Sequence, residues 1–377
     1  MNTDHLVALR RDLHANPELG FAEHRTAGIV ADFLTALDIE VHRGIGKTGV
    51  VGVLRCGTSS RMIGLRADMD ALPMDDAGSQ AWKSQQPGRC HACGHDGHTT
   101  MLLGAAEALA HSRDFDGTVV FIFQPAEEGL AGAKAMIDDG LFTRFPCEAV
   151  YAVHNWPELP LGTAQTRPGP IMAAADRFDI TVKGGGGHAA QPHLSPDTLL
   201  ATSELVVQLN TIVARAVDPC EPALLTVTRI NGGFSHNMIP AQATLTGTVR
   251  TFSPAVQDVI EKRLREMAEH VTAAQGLQAE VVYNRYYPAT VNSAQQASLA
   301  LLAAERAGLK TAEAPKPALT SEDFSFMLQA VPGAYLWLGS AQSRPLHHSA
   351  YDFNDDVIPY GISWFCEVVR GTLSAKI

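Results

Sequence analysis

Apolar residues recur at helical spacing over residues 4–15 and 24–37, then close up into short unbroken runs at Thr48–Leu54 and Met62–Ala67. The change of period marks a change from helix to strand. The same grammar predicts a helix from about Thr99 to His111, a strand over Gly117–Phe123, a helix near Ala131–Asp139 and a strand over Ala149–His154. Parallel strands need crossover connections and their unbroken apolar runs need cover on both sides, so the fold class expected is α/β, a mostly parallel sheet with helices on both faces.

Between Asp176 and Tyr283 the order changes. Strand Arg177–Val182, helix Thr198–Val217, strands Ala223–Ile230 and Ala243–Arg250, helix Pro254–Gln275 and strand Ala279–Val282 spell βαββαβ. This is the order of a ferredoxin-like α+β domain. Helix Ala294–Ala307, strand Ala334–Leu338 and helix Asp355–Ser374 then resume the first pattern. The expected division is a catalytic domain in two parts, 1–175 and 289–377, with an inserted domain at 176–288. Pro168, Gly169, Pro170 and Pro288 are the expected hinge positions, with closure of the two domains expected before chemistry, and Gly184–Gly187 reads as a flexible turn.

The chain of 377 residues, 46% hydrophobic and 18% charged, is long enough for two cores. A net charge of -11 without a clustered run of Lys or Arg argues against nucleic-acid and anionic-membrane partners. No window reaches the length of a membrane span, and the start lacks the pattern of an export signal, so a cytoplasmic protein is expected. Six scattered cysteines fit a reducing compartment without disulfides. Cys56, Cys147, Cys220 and Cys366 have no reactive neighbours and read as packing thiols.

Cys93 is different. In His91-Ala-Cys-Gly-His-Asp-Gly-His98 a thiolate and the His95 imidazole stand two residues apart, a spacing that lets both reach one ion from a tight loop. His91 and His98 either join that chemistry or shape the loop. Further candidates sit at expected strand ends: Asp68 and Asp70, Glu127 and Glu128, and His154. Adjacent carboxylates repel unless a cation lies between them. One of the two glutamates can hold a metal while the other carries a proton from water. Mixed His, thiolate and carboxylate donors suit Mn, Zn, Co or Ni and not Ca or Mg.

Six motifs extend this reading along the chain: Arg66-Ala-Asp-Met-Asp-Ala-Leu-Pro73, His91 to Thr99, Gln124-Pro-Ala-Glu-Glu-Gly129, Arg167 to Asp176, Gly187-His-Ala-Ala-Gln-Pro-His193 and Ser321-Glu-Asp-Phe324. Over essentially its whole length the chain resembles the amidohydrolase branch of the aminoacylase/carboxypeptidase metallopeptidase family, typified by hippurate hydrolase and indole-3-acetyl-amino-acid hydrolases. The resemblance implies two divalent transition-metal ions held by Cys93, His95, Glu128, His154 and His347. The resemblance selects His347 through the family's tail pattern, matched here at Tyr351 and Asn354, with the adjacent His348 as the alternative. It further implies Glu127 as general acid/base, Asp70 as a carboxylate orienting the metal site, and His188 as the oxyanion-stabilising histidine of the inserted domain, reaching the scissile carbonyl across a dimer interface in many relatives. Asn237 and Arg250 match substrate-binding positions. Two departures are Cys90, where methionine is common, and the extra glycine in Gly184–Gly187.

The expected activity is metal-dependent cleavage of N-acyl or N-aroyl amino acids, small-molecule substrates of the hippurate kind. A homodimer or homotetramer formed through the inserted domain is expected. A dipeptidase or N-acetyl-diaminopimelate-type deacetylase is the alternative on the same scaffold. A non-catalytic binder of acylated amino acids is the alternative of another class.

Overall fold

The computed structural model describes residues 3–374 except Ser343. It divides into two compact units, one made of Met1–Ile171, Thr290–Lys316 and Asp323–Ile377, the other of Met172–Ala289 and Pro317–Glu322.

The first unit is built on an eight-stranded sheet. Its spatial order is Glu40–Ile45, Gly49–Cys56, Gly117–Gln124, Met62–Asp68, Ala149–Trp156, Gly333–Gly339, Thr163–Thr166 and Lys310–Glu313. The four central strands run parallel. At one edge Glu40–Ile45 and Gly49–Cys56 pair antiparallel, and towards the other Thr163–Thr166 runs antiparallel to Gly333–Gly339. Every residue of Gly117–Gln124 is buried, which is why its sequence is unbroken rather than alternating. The edge strands carried no such signal. Glu40–Ile45 is half exposed and Lys310–Glu313 more so, and their polar composition hides them from a reading based on apolar runs. Helix Ile358–Thr372 packs on both His95–Ser112 and Ala294–Arg306, with Trp364 and Phe365 among the fully buried side chains.

Helix His95–Ser112 starts four residues before the expected Thr99. Gly94, at φ +95°, turns the chain directly into it. The first turn carries His95, Asp96 and His98, buried polar side chains that no apolar period reveals.

The second unit has a four-stranded antiparallel sheet in the spatial order Ala223–Gly232, Gln242–Thr251, Ala174–Lys183, Gln278–Tyr287. That is the ferredoxin-like arrangement. Burial alternates residue by residue along Gln242–Thr251, so one face packs on helices Thr198–Leu209 and Pro254–Ala274 while the other stays open. The expected helix Thr198–Val217 is two helices, Thr198–Leu209 and Ile212–Ala216. The break falls where the Asn210 side chain donates to the Val206 carbonyl. The glycine-rich run ends in order: Gly187–His188 pairs antiparallel with Met238–Ile239.

Candidate metal centre

The candidate residues of the first unit lie at the carboxyl ends of neighbouring parallel strands, where α/β sheets place their chemistry. Asp68 ends Met62–Asp68, His154 lies on Ala149–Trp156, and Glu127 follows Gly117–Gln124. The turn into Glu127 passes through Ala126 in a left-handed conformation, φ +54°. Two carboxylates hold this turn. Glu23, fully buried, accepts from the Ala126 N–H at 2.8 Å and from the Thr48 hydroxyl. Asp70 accepts from the N–H groups of Glu127 at 3.0 Å and Glu128 at 2.9 Å, one with each oxygen.

Asp70 also touches His95, whose Nδ1 lies 2.9 Å from the Asp70 carbonyl oxygen. Nδ1 therefore carries a proton directed at that carbonyl, and Nε2 is the nitrogen left to face the other donors. That atom is buried, with no hydrogen-bond partner among the described residues. Burial opposes the charged imidazole, but Asp68 and Cys93 outweigh it and hold the His95 pKa well above its ordinary value. His154 is the reverse case. Its Nδ1 donates to the Asn155 carbonyl at 2.7 Å, its Nε2 lies 3.4 Å from Cys93 Sγ, and burial with His98 nearby keeps it neutral. Burial, then Glu128, pushes the Cys93 thiol up.

His347 Nε2 stands 3.2 Å from Glu128 Oε1. Hydrogen bonding to Cys93 and Glu128 raises its pKa to about 10. His348 turns away, its Nδ1 accepting from the Ala350 N–H. The donor atoms fall into overlapping groups, each within 4.8 Å: Cys93, His95 and His154; Cys93, Glu128 and His347; His95, Glu127 and Glu128. An unpartnered buried imidazole nitrogen among a thiol, imidazoles and carboxylates is a set that a divalent transition metal fits.

His98 is fully engaged elsewhere, its Nδ1 2.6 Å from Asp68 Oδ1 and its Nε2 2.6 Å from Asn155 Oδ1. Asp68 in turn is paired with Arg66; burial opposes its ionisation, and His95, Arg66 and His98 overcome it. His91 is buried, and neither ring nitrogen has a partner among the described residues. Burial pushes its pKa down to about 4. Cys90, the departure from the motif, is a buried thiol pushed up to about 12 by burial.

Several supporting residues escaped the sequence reading. Asp323 accepts from Gln124 Nε2 at 2.7 Å and from the Ala133 N–H at 2.9 Å, while its own N–H donates to Glu127 Oε1 at 3.3 Å. Its motif, Ser321-Glu-Asp-Phe324, was visible, but its partner 196 residues away was not. Asn155 joins His98 to the Tyr351 hydroxyl. The two glycines of the metal-site segment are dictated by close approach. A Cβ at Gly94 would lie 2.3 Å from Asn155 Oδ1, and one at Gly97 would lie 2.3 Å from the Phe353 ring.

His188, Asn237 and Arg250 belong to the second unit. His188 Nδ1 accepts from the Ala190 N–H at 3.1 Å, and the Asn237 carbonyl accepts from the Ala189 N–H at 3.0 Å, which brings the two residues together on the short ribbon. Arg250 is half-buried on the open sheet face, where burial lowers its pKa.

Soft and hard donors gathered around one point, beside a second carboxylate anchored by backbone N–H groups, define a metal-dependent hydrolase. The chain belongs to the peptidase family M20/M25/M40, whose profile matches residues 64–371. It is 40% identical to the hippurate hydrolase of Campylobacter jejuni, over 96% of this chain and 94% of that protein. It is 36% identical to the N-acetylcysteine deacetylase of Bacillus subtilis, over 96% and 95%. The crystal structure of the Bacillus subtilis YXEP protein, described as a dinuclear metal binding peptidase from the M20 family, superposes with a TM-score of 0.87 at 33% identity, covering 98% of both chains.

Proposed function

We propose that this chain hydrolyses the amide bond of N-acyl and N-aroyl amino acids, releasing a carboxylic acid and a free amino acid. The observation that carries the reading is the pair Glu127 and Glu128, held side by side by Asp70, with one member beside Cys93 and His347. Relatives named for hippurate and N-acetylcysteine support the substrate class.

Cys93, His95, Glu128, His154 and His347 would hold two divalent ions of the Mn, Zn, Co or Ni kind, Cys93 belonging to two of the three overlapping donor groups. Such ions, when bound, polarise a carbonyl and make water acidic near neutral pH. Glu127 takes the proton from the attacking water and returns it to the leaving nitrogen. Its carboxylate is steadied by the Asp323 N–H. Asp70 fixes both the His95 tautomer and the backbone of the glutamate pair. In this reading His188 donates to the developing oxyanion, Asn237 holds the amide, and the Arg250 guanidinium takes the free carboxylate of the amino acid. Residues 176–288 act as a lid and as the contact of a homodimer or homotetramer. In this reading the compartment is the cytoplasm, in keeping with six scattered cysteines.

A panel of N-benzoylglycine, N-acetylcysteine, N-acetyl-diaminopimelate and a simple dipeptide, assayed with each metal after chelation and reloading, tests the proposal. Turnover of the first two over the dipeptide is expected. Tight binding of N-benzoylglycine with no glycine released over hours would establish a binding protein instead.

A further inference from the structure

The open face of the second unit's sheet carries a groove of about 470 Å³ whose lining includes Arg177, Arg229, Arg250, Thr246, Thr248 and Tyr286. Two guanidinium groups in it are seated alike. Arg229 donates to the Thr246 hydroxyl at 2.9 Å, and Arg250 donates to the Thr248 hydroxyl. Thr246 and Thr248 are two residues apart on one strand and face the same side, so the two nodes stand about 7 Å apart. Neither Arg229 nor Arg250 has a carboxylate within ion-pair distance among the described residues. The acids nearby are already engaged. Asp179 accepts from Arg177 and from the Thr246 hydroxyl, and Asp176 accepts from Gln257 and Tyr283.

We infer that this groove reads a second carboxylate, so that the preferred amino-acid portion of the substrate is dicarboxylic. Arg250 takes one carboxylate and Arg229 the other, each guanidinium held in place by its threonine. Two guanidinium forks without a direct ion pair, Arg250 half-buried and Arg229 exposed, with Asp176 and Asp179 near but engaged elsewhere, favour two carboxylates over a single one. The inference rests on the proposed hydrolase reading for its substrate, but the groove is testable without turnover.

The purified, metal-loaded protein is titrated calorimetrically with glutarate and with glutaramate, its neutral-ended monoamide. Glutarate is expected to bind at least tenfold tighter, Arg229→Met to abolish that preference, and Arg229→Lys to keep part of it. Equal affinity for the diacid and the monoamide, or an unchanged preference in Arg229→Met, would overturn the inference. In parallel, kcat/KM for N-benzoyl-L-glutamate should exceed that for N-benzoyl-L-glutamine, and the ratio should fall towards one in Arg229→Met. Retained glutarate preference with no hydrolysis of either amide would sink the hydrolase reading and leave the groove standing. Hydrolysis of both amides at equal rates would defeat the groove and leave the hydrolase standing.

Discussion

The Asp70 carbonyl oxygen lies 2.9 Å from His95 Nδ1, and that one contact decides which nitrogen of His95 faces the donor cluster. The same residue's carboxylate anchors Glu127 and Glu128, so Asp70 ties both sides of the centre together. Asp70→Asn keeps the shape but puts an amide nitrogen where one backbone N–H needs an acceptor. Metal affinity and kcat should both fall by about 10- to 100-fold, the usual cost of losing an outer partner of a metal ligand. Metal-buffered titration with parallel kinetics measures both, and a variant with native values would remove Asp70 from this role.

Glu127→Gln separates chemistry from metal binding. Asp70 holds the backbone of residue 127, not its side chain, so the loop should survive the change. Elemental analysis should find the metal retained while kcat drops by about 10²- to 10⁴-fold, the range attributed to a general acid/base. Near-normal turnover would end the assignment.

Cys93 contributes to two of the overlapping donor groups. Cys93→Ala should lose most of its metal and its activity together, and Cys93→Asp should recover part of both, since a carboxylate can replace the thiolate as ligand. Full activity in the alanine variant would exclude Cys93 as a ligand.

His14 provides a pH-dependent brace beneath the metal-site segment. Its Nδ1 lies 2.8 Å from Asp96 Oδ2, and its Nε2 lies 3.5 Å from Asp76 Oδ2. Burial disfavours the charged ring, but Asp96 and Asp76 hold its pKa up to about 9 from an ordinary 6.5. The native state thus keeps a proton that the unfolded chain gives up. The stability it supplies is complete below pH 6.5 and drains away as the pH climbs through about 9. Urea unfolding at both ends of that window should show wild type losing on the order of 3 kcal/mol more than His14→Gln. Parallel pH profiles for the two proteins would show that His14 is not the group responsible.

Gly97 presses against Phe353, with no room for a methyl group. Gly97→Ala should destabilise by about 1–3 kcal/mol through overpacking, read as a lower thermal midpoint. An unshifted midpoint would mean that the Phe353 ring yields freely.

The sequence by itself determined the buried parallel strands, because residues covered on both faces must be apolar without interruption, as in Gly117–Gln124. It determined the βαββαβ order of the inserted segment and the segments that bear reactive side chains, because metal and proton chemistry admits few residue types at short spacing. The tertiary structure alone decided what those side chains face. His98 and His95 are three residues apart on one helix turn, yet one is closed between Asp68 and Asn155 while the other keeps a free nitrogen. His347 and His348 are neighbours, and the backbone turn at φ +63° sends the first to Glu128 and the second back to Ala350. Glu23, Asn155 and Asp323 brace the centre through hydrogen bonds to residues up to 196 positions away. Such bonds leave no period in the chain: a local pattern records which face of an element is buried, whereas a polar contact between distant segments is fixed only when both have folded.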